Sequence, residues 1–97
     1  MFAAGREVAS AMTLLSDGAF KLYVFLCLRA DRSRARLEID QTSVAKSLAK
    51  SRRSVIVYFE ELRQRGVCEV KFAANQHSRG VVQIAISYWP EHNRQNY

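Results

Sequence analysis

A chain of 97 residues, 48% hydrophobic and 25% charged, has the balance of one globular domain and not of a disordered or multidomain protein. Fifteen Lys and Arg against nine Asp and Glu give a net charge of +6, and no run approaches the roughly 20 apolar residues of a membrane span. Two cysteines and two histidines without ligand spacing make no zinc site, and without a nucleophile–base pair or phosphate loop the expectation is a non-enzyme with no cofactor.

The first fifteen residues, MFAAGREVASAMTLL, are broken by Arg6 and Glu7 before any apolar core of useful length, so they do not read as a secretory signal. Ala4, Val8, Ala11 or Met12, and Leu15 recur at helical spacing and predict a helix over 3–15, with an extended arm as the alternative. Ser16-Asp17 then offers an N-cap for a helix of about Gly18 to Ala30. Its Ala19, Leu22, Tyr23 and Leu26 lie on one face, and Phe20, Val24 and Cys27 on nearly the opposite one. A helix apolar on both sides must be covered on both sides. The cover is either the domain core plus the N-terminal segment or a second copy of the chain.

Asp31 to Ala35 reads as a charged turn, and Arg36-Leu37-Glu38-Ile39 alternates like a short strand. Asp40 is a good N-cap for a helix from Gln41 to Leu48 or Lys50, with Val44, Ala45 and Leu48 inward. After a three-residue break, Ser51 caps a longer helix over 52–65 whose core stripe is Val55, Tyr58, Phe59 and Leu62. Gly66 suits the left-handed residue that ends such a helix.

Two alternating segments follow, Val67 to Ala73 and Val81 to Trp89, joined by the polar stretch Ala74 to Gly80. They predict a β-hairpin with a long tip. Pro90 should stop the last strand, and residues 90–97 should form a flexible tail. Cys27 and Cys68 sit in apolar runs, which predicts buried reduced thiols and a cytoplasmic setting.

The positive charge is concentrated: Arg29 to Arg53 carries eight basic residues against three acids. Such a field attracts polyanions, nucleic acid first among them. On a helical wheel Arg53, Val57 and Gln64 oppose the core stripe, with Arg52 and Ser54 at its sides and Glu60 and Lys50 flanking. Two arginines at a helix N-terminus oppose the helix dipole, and a bound anion would remove that inconsistency.

Ala45 with Val44 and Leu48, the tight turn, the cap Ser51, inward Val55 and the exit Leu62-Arg63-Gln64-Arg65-Gly66-Val67 together resemble the winged helix-turn-helix superfamily. Residues 16–89 look broadly like bacterial regulators of the MarR and GntR type, and also like the winged-helix domains of plasmid and phage replication proteins. Glycine is common where this chain has Ala49, and an aliphatic residue where it has Lys50. The resemblance implies an α+β fold: a three-helix core, a C-terminal β-hairpin wing, and an extra N-terminal helix or arm over 1–15.

It also implies binding to double-stranded DNA as a homodimer, probing the major groove with the second helix of the motif. The function so implied is a small transcriptional regulator acting by occupancy. The alternatives are the DNA-binding part of a replication initiator or other mobile-element protein, and an interaction module that does not bind DNA. The DNA-contact residues so implied are Arg53, with Arg52, for guanine edges and Val57 for a thymine methyl. Lys50, Ser51 and Ser54 would meet phosphate, as would Lys46, Arg34 and Arg36. The wing tip would add His77 and Arg79. No catalytic role falls to His77 or His92. Glu60 and Glu61 would repel phosphate, so the contact should end in the front half of the helix.

Overall fold

A computed structural model describes residues 5–73 and 76–90. The first four residues, Ala74 and Asn75 of the expected wing tip, and the expected tail over 91–97 with His92 lie outside the described residues. The elements run α1 (Arg6–Leu14), α2 (Asp17–Arg29), β1 (Arg36–Asp40), α3 (Gln41–Leu48), α4 (Arg52–Gln64), β2 (Cys68–Ala73), β3 (Gln76–Ile84) and a short 3₁₀ turn (Ile86–Tyr88). The three strands form one antiparallel sheet in the order β1-β3-β2.

Capping chemistry sets the helix starts. Ser16, Asp40 and Ser51 are all extended, and their side chains accept from Ala19 N, Thr42 N and Ser54 N, respectively. Gly66 takes the left-handed conformation at φ 73° just beyond α4. The core joins Leu22, Tyr23 and Leu26 of α2, Val55 and Leu62 of α4, and Val82 and Ile84 of β3, with Val44 and Leu48 of α3 beside them. α1 lies on α2 and buries Val8 and Ala11, so the N-terminal segment supplies part of the cover that α2 needs. Met12, the alternative inward residue, is instead exposed.

The last strand is misplaced by its alternation. The sequence pattern puts it over 81–89; the ladder runs from Gln76 to Ile84. At the far end it stops because its partners stop: Cys68 faces Ile84 and Arg36 faces Gln83. Ala85 N then bonds to Val67 O, and the chain turns so that Tyr23 Oη donates to Tyr88 O at 2.6 Å and Trp89 Nε1 to Arg32 O at 3.2 Å. Tyr88 therefore belongs to the 3₁₀ turn, and Ile86, expected within the strand, is 65% exposed. At the near end, Gln76 to Gly80, expected in the loop, are strand. Ala73 pairs with Gln76 after a register shift at Phe72/Ala73. A strand is made by its backbone ladder, which polar side chains can accompany, so polarity there does not mark a loop.

Cys27 and Cys68 are free and buried. Desolvation pushes each thiol up to about 12. An unfolded thiol ionises near pH ~8.5, so the unfolded chain loses these protons first. Their contribution to stability is complete below that pH and is lost as pH rises toward 12. The expected outcome is a falling denaturation midpoint above about pH 9, and thiol labelling at pH 8 limited by unfolding. Fast labelling of both thiols in the native protein at that pH would contradict it.

Candidate nucleic-acid interface

The α3–α4 turn is the centre of the site. α3 closes with Lys50 N donating to Ala45 O at 3.0 Å and Ala49 N to Lys46 O at 3.2 Å. This paired closure requires a left-handed residue, and Ala49 supplies it at φ 55°, ψ 43°. A Cβ in that region costs about 1–2 kcal/mol, which glycine would avoid at the expense of some backbone entropy. Ala49→Gly should therefore stabilise the fold by about 0.5–1 kcal/mol and raise the melting temperature by several degrees. Unchanged or lower stability in thermal denaturation would show that the turn is not strained.

Leu48 O, at the negative end of α3, accepts from Lys21 Nζ of α2 at 3.0 Å. Lys21 was not legible as part of the site, because nothing local ties it to a turn 27 residues later. It fixes the turn from behind and places a cation against a helix C-terminus.

At the start of α4, Ser51 Oγ accepts from Ser54 N at 3.1 Å and donates to Ser54 Oγ at 2.9 Å. Lys46, Lys50, Arg52 and Arg53 are all exposed. Among the described residues the ion pair is Arg63–Glu60, so none of these four cations is neutralised by a carboxylate. Ile56 and Val57 are 46% and 57% exposed beside them. Ile56 is a further apolar surface residue, outside the expected outer face of Arg53, Val57 and Gln64. The run Val55-Ile56-Val57 carried the signal, since three successive residues of one helix cannot all face the core.

Both glutamates are engaged. Glu60 pairs with Arg63, whose hydrogen bond holds its carboxyl below the usual range. Glu61 reaches α2, accepting from Ser16 N at 2.7 Å and Ser16 Oγ at 2.8 Å.

The wing lies at the same end as the start of α4. Val67, just after α4, receives Ala85 N at the base of the sheet, whereas Phe59 meets Phe72 edge-on at 6.2 Å further along it. Tracing α4 backward from Phe59 to Arg52 thus continues toward the wing tip. Arg79, exposed in β3, sits opposite Asp40 on that side. His77 lies in β3 nearer the tip.

Arg34 and Arg36 are not brought to this end. Arg36 pairs with Gln83 at the base of the sheet, three rungs from the Ile39–Gly80 rung that Phe72 also shares. Strand rise alone puts Arg36 about 10 Å from that rung, and Arg34 is held beside it at the base through its carbonyl bond to Gln83. The positive charge that looks continuous in sequence is divided in space.

Among the described residues no group of three or more His, Cys, Asp or Glu could hold a metal ion, and no helix is long and apolar enough to cross a membrane.

No family model matches the sequence, and no curated protein matches it. Solved structures do match by shape. A transcriptional regulator homologue from Pyrococcus horikoshii aligns with TM-score 0.60 at 17% identity, covering 92% of this chain and 82% of the other. A probable transcriptional regulator from Pseudomonas aeruginosa aligns at 0.59 and 15%, covering 92% and 65%. The adhesin competence repressor from Streptococcus pyogenes aligns at 0.53 and 16%, covering 90% and 63%. The chain thus spans less than two thirds of the last two.

Proposed function

We propose, from the premise that this chain is a winged helix-turn-helix protein, that it binds double-stranded DNA in a sequence-dependent way and acts as a transcriptional regulator. The observation that carries this reading is the start of α4. A capped helix N-terminus presents Arg52 and Arg53, exposed and without carboxylate partners, beside outward Ile56 and Val57. A helix N-terminus with added cations favours a phosphate, and the exposed side chains beyond it suit base edges in a major groove. Lys50 and Lys46 on one side, and the wing with Arg79 on the other, suit the flanking backbone. Glu60 and Glu61 are held by Arg63 and Ser16, which limits the contact to the first half of α4.

The structural neighbours support this reading, as all three are described as regulators or a repressor. A homodimer belongs to the same proposal: α2 leaves Leu28 60% exposed and Phe20, Val24 and Phe25 only partly covered, faces that a second copy would cover. Sedimentation at micromolar concentration tests that part.

The test of the main reading is selection from a random duplex library at low and moderate salt. Enrichment of one sequence pattern, with affinity falling steeply as salt rises, is the expected outcome. Retention of no duplex even at low salt would remove the DNA reading altogether.

A further inference from the structure

We infer that the Arg32–Arg36 loop is a second polyanion surface, one that holds the phosphodiester backbone of a second DNA segment while α4 engages the first. The loop carries arginine alone as its cation, Arg32, Arg34 and Arg36, with no lysine between them. The planar guanidinium is weakly hydrated and matches phosphate oxygens in pairs, which a lysine does not.

The backbone of the loop is fastened at almost every step. Asp31 N donates to Arg36 O at 2.9 Å, and Ala35 N to Asp31 O at 2.7 Å. Trp89 Nε1 donates to Arg32 O at 3.2 Å, Gln83 Nε2 to Arg34 O at 2.7 Å, and Ile84 N to Ala35 O at 2.8 Å. Ala35 is buried at φ 54°, a left-handed alanine between two exposed arginines. The fold thus maintains an unfavourable backbone conformation here, and no side chain of Arg32, Arg34 or Arg36 takes part in holding it.

The charges face solvent without carboxylate partners among the described residues. Asp31 is occupied with Ser33 N and Oγ, both at 3.1 Å, and Arg29 lies 4.9 Å over the ring of Phe25. Glu38 is the remaining carboxylate lining the shallow groove beside Arg34 and Arg36. Arginines outnumber these two acids, so the loop keeps a positive field.

Distance decides which DNA it meets. The loop stands at the base of the sheet, about 10 Å from the rung that Gly80 and Phe72 share, and the screening length at physiological salt is about 8 Å. A duplex seated on α4 and the wing therefore feels little of it. A second segment reaching the base of the sheet would feel all of it, and the protein would bridge two duplexes. The inference rests on the proposed function for the first segment only.

The experiment uses an immobilised duplex carrying a selected site and a free fluorescent duplex of arbitrary sequence. Wild type is compared with the combined variant Arg32→Gln, Arg34→Gln, Arg36→Gln. Expected is capture of the fluorescent duplex by wild type and its reduction about tenfold or more in the variant, with single-duplex affinity kept within about twofold. That retained affinity also reports that the variant is folded. Capture unchanged in the variant would assign bridging to two α4 sites of a dimer and overturn the inference. So would a weakened single-duplex affinity in place of lost bridging, or stronger competition by poly-glutamate than by duplex of equal charge, which would indicate an acidic partner. Ordinary single-duplex binding without any capture by wild type defeats this inference alone. Absence of all duplex binding defeats the proposed function with it.

Discussion

Arg53→Ala should lower affinity for a selected duplex by about 1–3 kcal/mol, roughly five- to 150-fold, and relax the preference at one base pair. Arg53 is the second residue of α4, exposed and without a carboxylate partner. In the free protein its charge lies against the positive end of the helix dipole, so its removal should leave stability unchanged or slightly raised. Loss of binding without loss of stability is what separates a contact residue from a structural one. Lys50→Ala makes the contrast: a phosphate contact should weaken all sequences alike and reduce the salt slope by about one. Selection repeated with the Arg53 variant reads both quantities. An unchanged pattern of enrichment would remove Arg53 from base reading.

Gly80→Ala should destabilise the protein by about 1–3 kcal/mol, on the order of 4–20 °C in melting temperature. A Cβ at Gly80 would lie 2.5 Å from Lys71 O, 2.7 Å from Phe72 Cδ1 and 3.0 Å from Phe72 Cα. Gly80 is in the central strand, paired to Ile39 on one side and Phe72 on the other, so neither ladder can step aside. The Phe72 ring that passes over this glycine is also the one that meets Phe59. Displacing it should loosen the wing from α4, so duplex affinity should fall as well. Thermal denaturation of the variant at wild-type stability would show that the strand accommodates the added carbon.

Local chemistry was legible in the sequence wherever it acts within a few residues. Ser16, Asp40 and Ser51 are visible as caps, and Gly66 as a helix end, because each bonds or turns next to itself in the chain. Ala49 was legible as a departure from the usual glycine, and it does adopt positive φ. The last strand departs from its pattern because alternation persists through Ile86 and Tyr88, while the ladder ends where partners end. The ties of Lys21 to Leu48 and Glu61 to Ser16 were not legible, since each joins residues far apart in sequence. The division of the basic surface was hidden for a related reason. Arg36 and Lys50 belong to one basic stretch of the sequence, but β1 and α3 lie between them.

The strand order β1-β3-β2 has a consequence for how the chain comes to be folded. β3 is the middle strand, yet it is the last of the three to leave the ribosome. Until β3 has emerged, β1 and β2 have no partner strand, and the core lacks Val82 and Ile84. Sheet closure is therefore a late, long-range event, since Leu37 must find Val82. A nascent chain halted before β3 would display unpaired strand edges and an open apolar face, the surface that holding chaperones recognise.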